Sequence, residues 1–168
     1  MSRVDINNLI SEKMADLAGR PAIEKWMACV SVWARLYVLS GAGCRRWPAI
    51  ADGVSQLFAS AMQRSVDPDG DFTAEVPAVP AQWDVEDDGS DEWAYTVDLI
   101  EATSPVVEGA DLDGCTEVAL TTFLDSMFNS RARAYGDEFG RPVSVAEVRE
   151  RIVNDPAWLR TLEFVSSI

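Results

Sequence analysis

The chain has 168 residues, 48% of them apolar, which suits one folded domain with a single hydrophobic core. Its formal net charge of -14 disfavours direct binding to a nucleic-acid backbone, because neutralising phosphates requires clustered lysine and arginine. Histidine is absent, which excludes histidine-based acid–base catalysis, Ser-His-Asp and Cys-His nucleophiles, and zinc sites with histidine ligands.

Apolar residues at helical spacing predict a first α-helix from about Asp5 to Leu17, where Gly19 interrupts the pattern. Pro21 fits the first turn of a second helix, and the stretch SGAG at residues 40–43 is expected to end it. The apolar face of this second helix is broad, which indicates a central position in the fold. It comprises Ile23, Trp26, Met27, Val30, Trp33, Leu36 and Tyr37.

The same region argues against a membrane span. Residues 26–43 form the most apolar run, but Arg35 lies in its middle, so we expect a buried helix.

The three cysteines, Cys29, Cys44 and Cys115, are odd in number and widely spaced, which is typical of reduced thiols in the cytosol. The N-terminal stretch MSRVDINNLISEK mixes charged and amide side chains, unlike a signal peptide. We therefore expect a cytoplasmic protein.

Pro48 is predicted to open a third helix. Its apolar stripe comprises Ile50, Val54, Leu57, Phe58, Ala61 and Met62. From residue 65 to residue 89 the helical period disappears, and three prolines and two glycines fall in this stretch. We expect a long acidic loop here, within one domain that spans residues 1–168.

Two more helices are predicted after the loop. Ser90 is expected to cap a fourth helix, which Pro105 and Gly109 interrupt. A fifth helix follows, capped by Asp111 or Asp113. Its predicted core residues are Val118, Leu120, Leu124, Met127 and Phe128.

The C-terminal region predicts the last two helices. Ser144 and Glu147 match a capping box for a sixth helix, and Asp155 followed by Pro156 starts a seventh. Its apolar anchors are Trp158, Leu159, Leu162 and Phe164. No pair of strands is indicated anywhere. The predicted fold class is therefore all-α, a single-domain bundle of about six or seven helices with a long acidic loop that contains proline and glycine.

Charge is segregated along the chain. Residues 1–64 contain 8 basic and 5 acidic side chains, for a net charge of +3. Residues 65–130 contain 17 acidic side chains and no lysine or arginine, for -17, and residues 131–168 contain 6 of each sign. An acidic block of 66 residues can serve solubility, or it can attract an electropositive partner or a cation.

One stretch of this block has the alternating carboxylates of a calcium loop. Its candidate ligands are Asp67, Asp69, Asp71 and Glu75. The EF-hand pattern requires glycine at its sixth position and a bidentate glutamate at its twelfth, where this chain has Phe72 and Ala78. The full motif is therefore missing, and a metal-binding regulator remains an alternative function.

Paired helix carboxylates supply the best enzyme hypothesis. Asp98 with Glu101, and Glu147 with Glu150, are each three residues apart, so each pair shares a helix face. If the two pairs faced each other, they could hold magnesium for phosphoanhydride hydrolysis, as in all-helical nucleotide pyrophosphohydrolases. This alternative predicts that the four carboxylates converge. No motif indicates an organic cofactor.

Aromatic residues among carboxylates indicate an interaction surface near residue 90. The candidate residues are Trp83, Asp84, Glu86, Asp87, Asp88, Asp91, Trp93 and Tyr95. The function expected from them is protein–protein interaction without catalysis. One concrete version is an acidic inhibitor or immunity-type protein that covers a basic, nucleic-acid-processing enzyme, with complementary charge speeding the encounter.

Four stretches carry a family resemblance. They are WMACVSVWARLY in the second helix, WAYTVDLIEA in the fourth, EVALTTFLDSMFN in the fifth, and SVAEVRERIVNDPAWLRTLEF at the end. Their order resembles the YjaG-like family of small all-helical bacterial proteins of unknown function, from about Pro21 onward. The segment from Asp67 to Asp88 has no clear counterpart in the family. The resemblance implies an all-helical fold and a homodimer, and it supplies no catalytic residues.

Overall fold

The computed structural model describes residues 5–46, 48–67, 69, 76, 91–141 and 143–168, without the side chains of 42–46, 48, 49 and 139. Within these ranges the chain forms seven α-helices and no β-strand, which confirms the predicted all-α bundle. The helices are α1 (Ile6–Ala18), α2 (Ala22–Arg46), α3 (Pro48–Val66), α4 (Asp91–Val107), α5 (Leu112–Phe139), α6 (Val145–Ile152) and α7 (Pro156–Ser167). Most of the predicted loop at 65–89 lies outside the described residues.

Helix α2 lies at the centre of the bundle, as its broad apolar surface predicts. It packs against α3, α4 and α5, whereas α1, α6 and α7 pack against α5. Trp33 of α2 is fully buried, and its indole Nε1 donates a 2.9 Å hydrogen bond to the carbonyl oxygen of Ala102 in α4. Cys29 of α2 places its Sγ atom 3.3 Å from Oγ1 of Thr116 in α5. These contacts fix the relative positions of α4 and α5.

Two predictions for α2 are wrong. The helix does not end at SGAG but continues to Arg46. Ser40 is buried there, and its hydroxyl donates to the carbonyl oxygen of Tyr37 at 2.9 Å, so helical packing overrides the turn propensity of the stretch. Ile23, Met27 and Tyr37, which belong to the predicted apolar face, are exposed, because the buried side of α2 is centred on other residues. Among the described helices, none has the length and apolar character needed to cross a bilayer.

The junction between α4 and α5 follows the glycine and capping signals, but Pro105 does not interrupt α4 as predicted. Pro105 lies within the last turn of α4, which ends at Val107. Gly109 has a φ of 83°, a left-handed conformation that glycine adopts without steric cost. Asp111 then caps α5 by accepting a 2.7 Å hydrogen bond from the backbone N–H of Gly114. The short connection makes α4 and α5 antiparallel neighbours.

The C-terminal caps are confirmed. Ser144 and Glu147 form the predicted capping box at the start of α6. Asp155 caps α7, accepting from the backbone N–H groups of Ala157 at 2.8 Å and Trp158 at 3.0 Å. Of the predicted anchors of α7, Trp158 is fully buried but Leu159 is exposed.

Candidate functional site

Three carboxylates meet where α4 packs against α5. Asp98 and Glu101 lie one turn apart on α4, and Asp125 of α5 is close enough to Asp98 for their charges to interact. Asp98 is half-buried, whereas Glu101 and Asp125 are exposed. We call Asp98, Glu101 and Asp125 the acidic seam.

The environment of the seam disfavours its negative charge. The pKa of Asp98 is raised from 3.8 to about 6, mainly by burial and further by repulsion from Glu101 and Asp125. The Ser126 hydroxyl and the Arg133 guanidinium oppose this rise. Burial also raises the pKa of Asp125. A carboxylate perturbed by burial and by like charges is typical of functional sites, although structural clusters can show the same shift.

The three seam carboxylates form no ion pair with a described residue, which is also true of Glu92, Glu108, Asp111 and Glu117, whereas Asp91 and Asp113 are paired. At one end of the α4–α5 pair, Asp91 lies 3.6 Å from a guanidinium nitrogen of Arg133. At the other end, Asp113 lies 2.6 Å from Nζ of Lys25. Basic side chains therefore compensate the flanking acids more closely than they compensate the seam.

The predicted interaction surface is only partly described. Trp83, Asp84, Glu86, Asp87 and Asp88 lie outside the described residues.

The described members of that surface do not form exposed aromatic anchors. Trp93 and Tyr95 are 5% and 9% exposed, so both pack into the core between α4 and its neighbours. Asp91 is half-buried, and it accepts a 2.9 Å hydrogen bond from the Ser130 hydroxyl. The aromatic residues of α4 therefore position the helix, and Glu101 is the exposed residue of α4.

The four carboxylates of the magnesium hypothesis have different surroundings. Glu147 belongs to the capping box and lies 2.7 Å from a guanidinium nitrogen of Arg141. The hydrogen bonds from Arg141 and then from Ser144 lower the pKa of Glu147 to about 2. Glu150 is exposed on α6, which packs against α5.

No group of three or more acidic or cysteine side chains within the described ranges is placed to hold a metal ion. The magnesium hypothesis gains no support from this arrangement and stays a prediction. Of the calcium candidates, Asp67 and Asp69 are exposed, and Asp71 and Glu75 fall outside the described residues.

The described thiols are poorly suited to nucleophilic chemistry. Cys29 and Cys115 are both free and buried. Burial raises the pKa of Cys29 to about 12 and that of Cys115 to about 11, so both stay protonated at neutral pH. The Cys44 side chain is not among those described.

Asp125 was not predicted as part of the site. It lies on a different helix from Asp98 and Glu101, and no local motif marks it. The available signal was its position beside the core residue Leu124 in an acidic helix, which becomes informative only when the pairing of α4 with α5 is known.

No family model, curated protein or solved structure matches this chain. The resemblance to YjaG-like proteins therefore stays a prediction, as does the homodimer that it implies. Any function has to be inferred from the chemistry of the chain itself.

Proposed function

We propose that this protein acts in the cytoplasm without catalysis, by binding a basic protein partner through its acidic seam and the carboxylates at residues 84–88. One form of this function is an inhibitor or immunity-type protein that covers a basic enzyme acting on nucleic acid. The observation that carries the proposal is the raised pKa of Asp98, close to Glu101 and Asp125, where the described residues supply no ion pair.

A basic partner would reverse the unfavourable electrostatics of the seam. A lysine or arginine placed beside Asp98 favours its ionised form, and the repulsion from Glu101 and Asp125 is then offset by attraction to the partner. The interaction free energy is largest when water leaves the contact, because screening falls with the local dielectric constant. The seam is therefore better suited to bind a cation than to stabilise the isolated fold.

The whole acidic block adds long-range attraction. Residues 65–130 carry 17 acidic side chains and no basic ones, so a positively charged surface is drawn towards this part of the chain. Complementary charge raises the association rate and rejects acidic competitors, and both effects weaken as salt increases. These properties match a protein that must find one basic target among many proteins.

The test uses two variants of equal charge. The seam variant carries Asp98→Asn, Glu101→Gln and Asp125→Asn. The control variant carries Glu12→Gln, Glu150→Gln and Glu163→Gln, three exposed acids outside the acidic block. Each variant gains three charge units, so a general effect of net charge would appear in both.

Each protein is immobilised and incubated with native cytosol at low and at high salt. Retained proteins are identified, purified and titrated against the same three baits. We expect a basic protein that binds the wild type and the control variant, binds the seam variant about tenfold more weakly or worse, and dissociates at high salt. Equal binding to all three proteins, or a complex that is insensitive to salt, would contradict the proposal.

A further inference from the structure

The side of α2 that points away from the bundle is apolar. Ile23, Met27 and Val38 are 62%, 57% and 77% exposed, and the half-buried Val30 and Ala34 lie between them at helical spacing. We call these five residues the outward face of α2. Of these, Ile23, Met27 and Val38 stay exposed in the described structure, whereas Val30 also packs against the core.

The opposite side of α2 is buried in the bundle. Ala28, Cys29, Val32, Trp33 and Leu36 are buried against the rest of the bundle. Contiguous exposed apolar surface on a helix is typical of a contact with another protein.

The outward face has the symmetry that a contact with an identical copy requires. Ile23 and Val38 are equally far along the helix from the midpoint between Val30 and Ser31, and so are Met27 and Ala34. Two antiparallel α2 helices paired about this midpoint would place Ile23 of each copy beside Val38 of the other. A two-fold contact must be self-complementary in this way.

The steric and polar details suit a close helix pair. The long side chain of Met27 would face the small Ala34 of the second copy. The Ser31 hydroxyl donates to the carbonyl oxygen of Met27 at 2.7 Å, so its donor is satisfied within the helix. Within the described part of the chain, an added Cβ on Gly41 meets no atom within 4 Å.

The charges beside the face are also complementary to an identical copy. Glu24 and Arg35 lie on the same edge of α2, eleven positions apart and nearly centred on the same midpoint. Within one copy, Glu24 lies 3.4 Å from a guanidinium nitrogen of Arg20, and the Arg35 guanidinium lies 3.9 Å from the centre of the Phe164 ring. Antiparallel pairing would bring Glu24 of each copy towards the edge that carries Arg35 of the other. Residues 1–64 carry a net +3, and α4 and α5 lie on the buried side of α2, so the acidic helices of the two copies point apart.

We propose that the outward face of α2 binds a second copy of this chain, with the two α2 helices antiparallel about a two-fold axis between Val30 and Ser31. This interface is separate from the acidic seam, and its formation does not depend on the proposed basic partner. A dimer built in this way displays two acidic seams.

The first test is sedimentation equilibrium of the full chain, the Met27→Glu variant and a matched control. Val145 is 58% exposed, as Met27 is 57% exposed, so Val145→Glu adds the same charge at an equally exposed apolar site on α6. We expect twice the mass of one chain for the wild type and for Val145→Glu. Met27→Glu should raise the dissociation constant about a hundredfold, because two unpaired charges would enter the contact. A monomeric wild type, or a dimer that Met27→Glu leaves intact, would overturn the proposal.

The second test checks the register by oxidative cross-linking in a Cys44→Ser background. The buried Cys29 and Cys115 stay protonated and do not interfere. Ser31→Cys lies at the two-fold axis and should cross-link to its own copy. Val145→Cys should not. A dimer in which Ser31→Cys fails to cross-link would place the interface elsewhere and contradict the proposal. A chain that gains mass only with a different protein would contradict it too.

Discussion

At the scale of single residues, the Asp155 carboxylate accepts four hydrogen bonds, two from side chains of α5 and two from backbone N–H groups of α7. Its Oδ1 atom accepts the two capping hydrogen bonds of α7. Its Oδ2 atom accepts from Nε of Arg131 at 2.9 Å and from the hydroxyl of Tyr135 at 2.5 Å. Because Asp155 is 5% exposed, removing its charge leaves Arg131 and Tyr135 without their acceptor in a poorly hydrated site.

We predict that Asp155→Ala destabilises the fold by about 3 kcal/mol, since it removes both the cap and a largely buried ion pair. Asp155→Asn keeps the capping oxygen and should cost less, about 2 kcal/mol. Asp5→Ala is the matched control, because Asp5 also caps a helix through two hydrogen bonds but is exposed. It should cost about 1 kcal/mol. Urea unfolding measures all three, and equal losses for the two Ala variants would contradict this assignment.

The Asp155 carboxylate also makes the stability of the native state depend on pH in the acidic range. Burial acts to raise the pKa of Asp155, but the hydrogen bonds from Tyr135, Trp158 and Arg131 outweigh it, and the pKa lies below 3.8. A lowered pKa in the fold means that the ionised group stabilises the native state above pH 3.8. This stabilisation is lost as the pH falls through the lowered value.

Ionisation of Asp98 has the opposite effect, because it destabilises the native state. We therefore predict that Asp98→Asn stabilises the protein at pH 7.5. The pKa of Asp98 in the fold is about 6, above its ordinary 3.8, so the folded state takes up the proton first. The wild type therefore gains stability as the pH falls from above 6 to below 3.8, and it carries the full penalty at neutral pH. With solvent screening at this half-buried site, the variant should gain about 1 kcal/mol at pH 7.5 and almost nothing near pH 4.

The measurement is urea unfolding of both proteins at the two pH values. Asp67→Asn, at an exposed acid, is the control and should change stability at neither pH. A gain from Asp98→Asn that is the same at both pH values would show that the effect does not come from ionisation.

At the scale of helices, glycines distinguish a continuous helix from a helix end. Gly41 lies inside α2 with open space around it, so Gly41→Ala should stabilise the fold by about 0.5 to 1 kcal/mol through its higher helix propensity. Gly140 also has open space, but it ends α5 with a φ of 61°. Gly140→Ala should therefore destabilise the fold by about 1 kcal/mol. Thermal unfolding shows whether each variant is more or less stable than the wild type. A destabilising Gly41→Ala would indicate that α2 ends at SGAG.

Helix starts could be predicted because their signals are local. Asp111, Ser144 and Asp155 each have a side chain that bonds a backbone N–H two or three residues ahead, so the sequence alone identifies the caps. The end of α2 could not be predicted, because burial of Ser40 depends on packing with other helices. The exposure of Met27 has the same cause. A helix with a broad apolar surface does not reveal which part of that surface the bundle leaves uncovered.

The site was predicted in part for similar reasons. The paired spacing of Asp98 and Glu101 could be read from the sequence, but their role could not. The carboxylates that surround Trp93 and Tyr95 in sequence favour a surface position, yet both side chains face the core of the bundle. The proximity of Asp125 to Asp98 could not be predicted, because it depends on the packing of α4 against α5.

At the scale of the whole molecule, we propose separate roles for two surfaces. The outward face of α2 is apolar and lies in the part of the chain with a net charge of +3. The acidic seam lies on α4 and α5, on the buried side of α2, within the block with a net charge of -17. Met27→Glu should therefore leave partner binding unchanged per chain, and the seam variant should leave the dimer intact.

Proton release on binding tests the role of the seam most directly. The partner captured in the cytosolic experiment is titrated calorimetrically at pH 6 in buffers of different ionisation enthalpy. Because Asp98 with a pKa of about 6 is half protonated at this pH, a basic group that lowers its pKa should release about half a proton per complex. The Asp98→Asn complex should release less by the same amount. An unchanged proton balance in Asp98→Asn would contradict the binding of a cationic group at the acidic seam.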